Sequence, residues 1–466
     1  MQVILSSNTT FDKVVKIQKW ADGTEYRLLI YCIQQETPDG LLLHNTLSRE
    51  MVLLNEQERA HMLDNAYLRD HWFVVPVGFD DRKFVHQVRQ MHQLITPRPV
   101  AYRSYTIFTT TDCNARCFYC YEHGRGRIHM SQETAIKVAS YIAGNYQKLS
   151  AKDPNTGISI TWFGGEPLYH ASVIDTICNE LHGQGVRFSS RMISNAYLFD
   201  TQTARKAASQ WNLKRVQITL DGTEQVYNKA KAFIYKEGSA FLRVIDNIEG
   251  ILDAGIKVQV RMNIDMHNAD NLLELVDYLA ERFAGREGLT CYSHPLYELA
   301  GEHAHLRTDE RRATVYQRQL VLQERIREKG LTSTPHIDRN TKVNKCMADS
   351  GSAVTILPTG HIGLCEHYSE SDYISHVDNP SAVDRDMVRS FRETHDDLDI
   401  CADCAYYPQC IRLRKCEEES VCFPEIREGR LRKVRLAMLG TYQKWKAGQA
   451  QPDAEGDEQE ADLENC

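Results

Sequence analysis

Three cysteines stand within eight residues, in the segment C-N-A-R-C-F-Y-C. They are Cys113, Cys117 and Cys120, so their spacing is C-x3-C-x2-C. Three neighbouring thiolates can hold a cubane iron–sulfur cluster but ligate only three of its four irons, which leaves one iron open to another ligand. The alternative is a structural zinc site, but zinc knuckles come in pairs and no second pair lies nearby. The segment therefore predicts a [4Fe–4S] cluster with one open iron.

A second cysteine group lies far downstream. Its seven members are Cys346, Cys365, Cys401, Cys404, Cys410, Cys416 and Cys422. The chain has 14 cysteines and its start lacks the pattern of a signal peptide, so these thiols are predicted to bind metal rather than form disulfides. A zinc ribbon built from Cys401, Cys404, Cys410 and Cys416 is the alternative.

Composition and charge argue against several classes of partner. No run of 18 apolar residues occurs, so no transmembrane helix is expected and the protein is predicted to be cytoplasmic. The formal charge of −8 falls mainly in residues 447–466, which carry seven acids and no Lys or Arg. This tail is predicted to be disordered. The remainder is near neutral, so neither nucleic acid nor a membrane is an expected partner.

Strands and helices that could position the first cysteine group alternate from Arg103 onward. The predicted strands are 105–109, 158–163, 186–193, 215–220, 257–264 and 289–293. The predicted helices include 132–146, 240–254, 269–284, a polar helix at 305–329 and a last helix at 426–446. Six β/α units predict an α/β fold in which a parallel sheet curves into a partial barrel. Cys113 follows the first strand, at the carboxyl edge where β/α barrels place active sites.

Residues 1–100 are predicted to form a separate domain. Residues 26–31 and 41–45 are predicted to pair as a hairpin around Pro38-Asp39-Gly40, with a third strand at 51–54. Asn55 and Glu58 form a predicted capping box at the start of a helix. Small strands followed by helices resemble the winged-helix elements with which peptide-modifying enzymes bind a leader peptide at an exposed strand edge. The alternative is a structural N-terminal cap.

Gly164-Gly165-Glu166-Pro167 follows the second predicted strand. Glycines let a ligand approach the backbone closely, and a carboxylate can accept hydrogen bonds from an ammonium group. Together with the C-x3-C-x2-C triplet, this motif resembles the radical S-adenosylmethionine (SAM) enzymes. The resemblance implies that SAM chelates the open iron and that the GGEP motif binds its amino group. It also implies a 5′-deoxyadenosyl radical that abstracts a hydrogen atom from a substrate.

The same resemblance implies further contacts to SAM. Tyr119 would lie beside the adenine, and Ser194 and Asn195 would lie near the ribose and carboxylate. The segment from Thr219 to Gly222, which includes Asp221, resembles a family "SLDG" segment with Thr219 in place of the usual serine. On the fifth strand, Arg261 matches a polar residue that reaches SAM. The alternatives for Thr219, Asp221 and Arg261 are a turn hydroxyl, a turn cap and a barrel salt bridge.

The downstream cysteines are similar to the SPASM extension of radical SAM enzymes, which houses two auxiliary [4Fe–4S] clusters. The resemblance implies an outer cluster on Cys401, Cys404, Cys410 and Cys422. It implies an inner cluster on Cys346, Cys365 and Cys416, with its fourth position left to an open iron, a non-cysteine ligand, Cys291 or water. The spacing departs from the family pattern between Cys410 and Cys416, where five residues stand instead of three. An open inner iron could bind a substrate thiol.

The combination implies a radical SAM/SPASM peptide maturase with SAM and three [4Fe–4S] clusters as cofactors. Its predicted domains are 1–100 for peptide recognition, 101–330 for the radical SAM barrel and 331–446 for the auxiliary clusters, followed by the tail. The predicted function is to form thioether cross-links in a ribosomally made precursor peptide with a leader, with flavodoxin or ferredoxin as reductant.

Alternatives are another peptide outcome, such as carbon–carbon cross-linking or epimerisation, or formylglycine formation in sulfatases. An iron–sulfur electron carrier is a further alternative, but a carrier has no need of the GGEP motif. The precursor, the acceptor residue and the oligomeric state stay open.

Overall fold

The fold was analysed in a computed structural model. It describes residues 1–7, 9–16, 20, 24–95, 99–120, 122, 126–296, 309–338, 346–368, 372–410, 413–416 and 422–450. The described residues fall into two compact units. The first takes its residues from Met1–Arg98, Thr334–Cys346 and Thr394–Cys466, and the second from Pro99–Ser333 and Met347–Glu393. The predicted domain boundaries at residues 100, 330 and 446 stay a prediction.

The secondary structure is numbered along the chain. The strands are β1 (Gln2–Leu5), β2 (Tyr26–Leu28), β3 (Cys32–Thr37), β4 (Gly40–Asn45), β5 (Met51–Leu54), β6 (Val74–Pro76), β7 (Ser104–Thr110), β8 (Ile158–Gly164), β9 (Phe188–Ser194), β10 (Leu213–Thr219), β11 (Lys257–Ile264), β12 (Leu289–Pro295), β13 (Ala353–Ile356), β14 (His361–Gly363) and β15 (Tyr373–His376). The α-helices are α1 (Thr9–Val14), α2 (Glu56–Ala60), α3 (Ala66–Asp70), α4 (Asp81–Ile95), α5 (Gln132–Ser150), α6 (Ser172–Gly183), α7 (Thr201–Gln210), α8 (Glu224–Lys231), α9 (Ala240–Asp253), α10 (Ala269–Arg282), α11 (Asp309–Glu328), α12 (Met347–Ser350), α13 (Arg385–Ser390) and α14 (Pro424–Ala450).

The second unit is built on a nine-stranded sheet in the order β12-β11-β10-β9-β8-β7-β13-β14-β15. Strands β7 to β12 are parallel and follow one another in chain order. At least one helix crosses over between each consecutive pair of these six strands. The predicted mixed α/β fold with a parallel sheet is therefore confirmed. The carboxyl ends of the six strands meet along one edge of the sheet.

Local patterning explains why these elements form. In β8, the side chains of Ile158, Ile160 and Trp162 alternate along the strand and are buried, as expected for a period of two. Helix α5 buries residues at a helical period on one face, namely Ala135, Val138, Ala139, Ile142 and Ala143. Ser131 caps the helix, because its side chain accepts a hydrogen bond from Thr134 N.

Both helices predicted in the C-terminal part of the chain are present, and one of them extends further than predicted. The polar helix predicted at 305–329 is α11, and residues 305–308 lie outside the described residues. Helix α14 is longer than predicted, so residues 447–450 are helical rather than disordered. These four residues, Ala-Gly-Gln-Ala, carry no charge, and the acidic run begins only at Asp453. The tail from residue 451 lies outside the described residues.

The first unit contains a four-stranded antiparallel sheet in the order β1-β5-β4-β3. Here the predicted hairpin is wrong in its first strand. The partner of β4 is β3, whereas Tyr26–Leu28 pairs with β6 in a separate two-stranded sheet. The sequence of β3 is Cys-Ile-Gln-Gln-Glu-Thr, and only Ile33 in it is fully buried. Such a polar strand carries little hydrophobic pattern from which it could be predicted.

Both faces of this sheet are covered. On one face Leu42, Ile33 and Leu53 pack with Val434 and Met438 of α14. On the other face a second apolar cluster forms from Leu41, Leu43, Val52, Leu54, Leu68, Phe73 and Val74. The predicted capping box is confirmed, since Asn55 and Glu58 each accept a hydrogen bond from the other's main chain. Within the described part of the chain, no helix is both long and apolar enough to cross a membrane.

Candidate functional site

The first cysteine group lies in the loop that follows β7. Two main-chain hydrogen bonds hold this loop against the end of α8 and the segment that follows it. Arg116 N donates to Lys231 O at 2.8 Å, and Ile234 N donates to Asn114 O at 2.9 Å. The loop thus sits at the carboxyl edge of the parallel sheet, where the sequence predicted it.

The GGEP turn packs directly against the start of that loop. Gly165 N donates to Thr110 O and Glu166 N donates to Asp112 O, both at 3.0 Å. A Cβ at Gly164, whose φ is +129°, would lie 2.1 Å from Thr110 O, and one at Gly165 would lie 2.3 Å from Asp112 O. Both positions therefore require glycine. The backbone alone fixes the distance between the cysteine loop and Glu166.

Glu166 is buried and its carboxylate accepts three hydrogen bonds. The donors are Ser194 Oγ at 2.8 Å, Asn195 N at 2.7 Å and Leu168 N at 3.1 Å. Burial raises the pKa of Glu166 to about 7, although these hydrogen bonds act in the opposite sense. A carboxylate offers about four lone-pair positions, so one remains for a further donor such as an ammonium group. Pro167, also buried, opens the short 3-10 turn that follows.

The side chain of Asn195 links this carboxylate to the cysteine loop. Its Nδ2 donates to Asn114 Oδ1 at 2.7 Å and lies 3.7 Å from Cys113 Sγ. Asn114 Nδ2 is itself buried without a partner among the described residues. Burial raises the pKa of the Cys113 thiol to about 12, and the charges of Glu166, Cys117 and Cys120 add to the effect. The electrostatic effect of Cys117 and Cys120 on Cys113 and the unsatisfied amide donor fit a cluster with an added ligand.

Tyr119 and Asp221 both contact Lys231, a residue that the sequence analysis did not single out. Lys231 Nζ lies 2.9 Å from Asp221 Oδ2, with 2% of each side chain exposed. It also donates to Tyr119 OH at 2.5 Å, and Tyr119 OH donates to Asp221. Burial lowers the pKa of Lys231, but the charges of Asp221 and Cys117 more than offset this and leave it raised. A lysine in the last turn of a polar helix gives no local signal of such burial.

Thr219, the last residue of β10, stands opposite Arg261, which lies in the middle of β11. Arg261 Nε donates to Asn263 Oδ1 at 2.8 Å, and Asn263 N donates to Asp221 Oδ1 at 3.2 Å. Among the described residues Arg261 forms no salt bridge, which speaks against that alternative. The predicted SAM contacts therefore share one edge of the sheet, and their roles stay predictions.

Four downstream cysteines line one cavity in the first unit. They are Cys401, Cys404, Cys410 and Cys422, and Arg427, Arg430 and Tyr406 line the same space. Burial raises the pKa of the Cys422 thiol to about 11, and the other three cysteines act on it electrostatically. This is the set predicted for the outer cluster, and four thiols around one cavity fit a cubane.

The three cysteines of the predicted inner cluster stand at the ends of short elements. Cys346 precedes α12, Cys365 follows β14, and Cys416 follows Leu413, which forms a bridge with Thr394. Cys346 and Cys416 belong to the first unit and Cys365 to the second, so the inner cluster stays a prediction. Cys291, the alternative ligand, is buried in β12. Nowhere in the described ranges do three or more His, Cys, Asp or Glu side chains converge on the position of a single ion.

Comparison with known families agrees with this geometry. Residues 107–281 match the Radical SAM superfamily. The matched segment runs from β7 to α10 and contains the cysteine loop, the GGEP turn, Lys231 and Arg261. It is a radical SAM domain, which indicates an enzyme that uses SAM and a [4Fe–4S] cluster. Among curated protein sequences, none matches the chain.

Solved structures with the same fold include two kinds of radical SAM enzyme. Streptococcus suis SuiB bound to S-adenosylmethionine is 13% identical with a TM-score of 0.51, over 88% of this chain and 96% of that chain. SuiB bound to precursor peptide SuiA is 12% identical with a TM-score of 0.50, over 85% and 95%. Native anSMEcpe with bound AdoMet and Kp18Cys peptide is 11% identical with a TM-score of 0.54, over 74% and 99%. At these identities the similarity shows the fold.

Proposed function

We propose that this protein is a peptide maturase that forms thioether cross-links in a ribosomally made precursor. A peptide substrate is supported by the small sheet of the first unit, whose edge strand β3 is polar and short. Such an edge can bind an extended leader by main-chain hydrogen bonds. SuiB was crystallised with a precursor peptide and has the same fold over most of this chain, which supports the proposal.

In this proposal the residues of the second unit have defined tasks. Cys113, Cys117 and Cys120 hold the cluster, and the remaining lone pair of Glu166 accepts from the amino group of SAM. Ser194 and Asn195 orient Glu166, and Lys231 fixes Tyr119 through Asp221. Thr219 and Arg261 complete the edge of the site. When bound, SAM on its cluster supplies a 5′-deoxyadenosyl radical that takes a hydrogen atom from the substrate.

In the thioether step, the acceptor carbon would lose a hydrogen atom to the 5′-deoxyadenosyl radical, the cysteine thiol would lose a proton, and a sulfur–carbon bond would form. The excess electron would leave through a cluster, and flavodoxin or ferredoxin would supply the electron that cleaves SAM. In this proposal the open position of the inner cluster predicted on Cys346, Cys365 and Cys416 would bind the substrate thiol. The 14 thiols of the chain agree with a reducing, cytoplasmic location.

Mass spectrometry tests the outcome. The protein is incubated anaerobically with SAM, dithionite and a peptide encoded beside its gene, with the same peptide carrying Cys→Ala changes as control. Each cross-link should remove about 2 Da and one alkylatable thiol. A product lighter by two hydrogens that keeps every thiol alkylatable would indicate a carbon–carbon link instead.

Formylglycine formation is the second candidate, because anSMEcpe, whose structure contains AdoMet and the Kp18Cys peptide, has the same fold. In that case a cysteine-containing sulfatase peptide would give a product that reacts with aldehyde reagents. The anSMEcpe match covers 74% of this chain and the SuiB match 88%. Because the SuiB fold accounts for more of this chain than the anSMEcpe fold does, the precursor peptide is tested first.

A further inference from the structure

Helix α14 begins at the four-cysteine cavity of the first unit. Cys422 stands two residues before Pro424, the first residue of this 27-residue helix. The first N–H groups of a helix lack partners within it and carry a partial positive charge. The helix therefore directs its positive end toward the thiols.

Two arginines add full charges on the same side. Arg427 and Arg430 are one turn apart, so they share a face of α14, and both line the cavity. Arg430 Nη1 donates to Cys410 Sγ at 3.1 Å. Arg427 donates to Asp403 Oδ1 at 2.6 Å, next to Cys404.

Positive charge at this place favours one redox state. A cluster held by four thiolates gains one negative charge when it is reduced. Hydrogen bonds to the ligating sulfurs and nearby cations stabilise the more negative state, and both are known determinants of cluster potential. A guanidinium N–H donor to sulfur combines the two effects.

We propose that Arg430 raises the reduction potential of the cluster held by Cys401, Cys404, Cys410 and Cys422. Arg430 acts through its hydrogen bond to Cys410 Sγ, and the helix end and Arg427 add positive charge beside it. The site therefore takes up an electron more readily than its thiolate ligands alone would allow. This inference rests on the proposed outer cluster but not on the thioether product.

The test uses the full chain after anaerobic reconstitution. The variants are Arg430→Gln and, as matched control, Arg435→Gln, which lies on the same helix and pairs with Glu428 at 3.0 Å. The midpoint potential of the outer cluster is measured by redox titration followed by electron paramagnetic resonance. Its signal is assigned as the one that SAM does not alter and that Cys404→Ala removes.

In Arg430→Gln the ratio of oxidised to reduced outer cluster at a fixed potential should rise about tenfold, which is 59 mV for a one-electron couple. Arg435→Gln should match the wild type. An unchanged midpoint in Arg430→Gln with full iron content overturns the role of Arg430. A Cys404→Ala protein that keeps the wild-type iron content overturns the outer cluster itself.

A second measurement does not depend on the midpoint potential. The wild-type protein is labelled with guanidino-15N arginine, and the reduced outer cluster is examined for hyperfine coupling to 15N. A hydrogen bond from Arg430 to Cys410 Sγ should give a resolved coupling, which Arg430→Lys should abolish. Absence of the coupling in the wild type contradicts the proposal.

Discussion

The ion pair of Lys231 and Asp221 places two full charges in the interior of the radical SAM domain. Removing charges from water costs free energy that their attraction offsets only with good geometry and further hydrogen bonds. Here Tyr119 OH and Asn263 N supply those bonds to Asp221. The pair stands between the cysteine loop and β11, so its geometry sets where the ring of Tyr119 lies. The pair thus has a structural role at the edge of the sheet, and under the proposed function it would also hold Tyr119 beside SAM.

Lys231→Met should destabilise the protein strongly, because it leaves the Asp221 carboxylate buried and unpaired. The expected loss is about 3–5 kcal/mol, measured as a lower midpoint of denaturant unfolding followed at the tryptophans. The double variant Lys231→Met/Asp221→Asn should recover part of it. Lys206→Met is the matched control, since its pair with Asp175 at 2.7 Å is partly exposed and contributes about 0–1 kcal/mol. Equal losses in the two lysine variants would contradict the buried-pair interpretation.

Glu166 should make SAM affinity depend on pH. Its pKa is raised to about 7 by burial, and the ionised form accepts from the ammonium group much more strongly than the neutral acid does. SAM should bind roughly fivefold to tenfold more weakly at pH 6 than at pH 7.5, as measured by equilibrium dialysis of the reconstituted protein. Glu166→Gln should bind weakly at both values, without a slope. Equal wild-type affinity at the two pH values would show that Glu166 does not hold the ammonium group.

At the scale of elements, β3 has a defined open edge. Tyr31 O accepts from Thr46 N at 2.9 Å, and Thr37 stands opposite Gly40 across a two-residue turn. Hydrogen-bonded and non-bonded pairs alternate along an antiparallel hairpin. The main-chain groups of Ile33 and Gln35 therefore face β4, and those of Gln34 and Glu36 face away from it. In the described part of the chain, β3 is the last strand on this side of the sheet.

Gln34→Pro should abolish leader binding and leave the fold intact, because proline removes one outward N–H and is tolerated on edge strands. Gln34→Ala keeps the N–H and is the matched control. Binding of the precursor's leader peptide is measured by fluorescence anisotropy, and circular dichroism checks the fold. An affinity for Gln34→Pro equal to that of Gln34→Ala would move the leader site away from β3.

The elements also show which parts of the structure a sequence can predict. The β/α alternation rests on local apolar patterns such as Ile158, Ile160 and Trp162, so all six parallel strands were predicted close to their places. The cysteine loop and the GGEP turn carry their own residue signatures. Strand β3 and Lys231 were missed for the opposite reason. A polar edge strand has one buried residue, and the burial of a lysine depends on residues distant in sequence.

For the whole molecule, the main feature is that the first unit draws on distant parts of the chain. Thr46 Oγ1 donates to Ala405 O at 2.7 Å, and Arg89 Nη2 donates to Tyr407 O at 2.9 Å. The rings of Tyr31 and Tyr407 stack with centroids 6.3 Å apart. The segment with the outer cysteines thus packs on the N-terminal residues. The predicted recognition domain and the outer cysteine segment share one core.

Deleting residues 1–95 should therefore lower iron content as well as precursor affinity. Three clusters correspond to about twelve irons per chain, and the truncated protein should hold about eight, because Cys401 and Cys404 lose the core against which they pack. Colorimetric iron analysis after reconstitution measures this, and Glu36→Ala, a change at an exposed ion pair with Arg59, is the control. A truncated protein with full iron content would show that the outer segment folds without its N-terminal partner.

The packing of α14 on the N-terminal sheet also has a consequence for synthesis on the ribosome. Leu42 and Ile33 are made early, but Val434 and Met438, which cover them, follow nearly four hundred residues later. At about 5–20 residues per second, the sheet waits roughly 20–80 s for its cover. During that interval its apolar face is open to water and to other chains. The nascent protein is thus expected to need a chaperone early. Loading of the proposed outer cluster, whose cysteines adjoin α14, would be one of the last steps of folding.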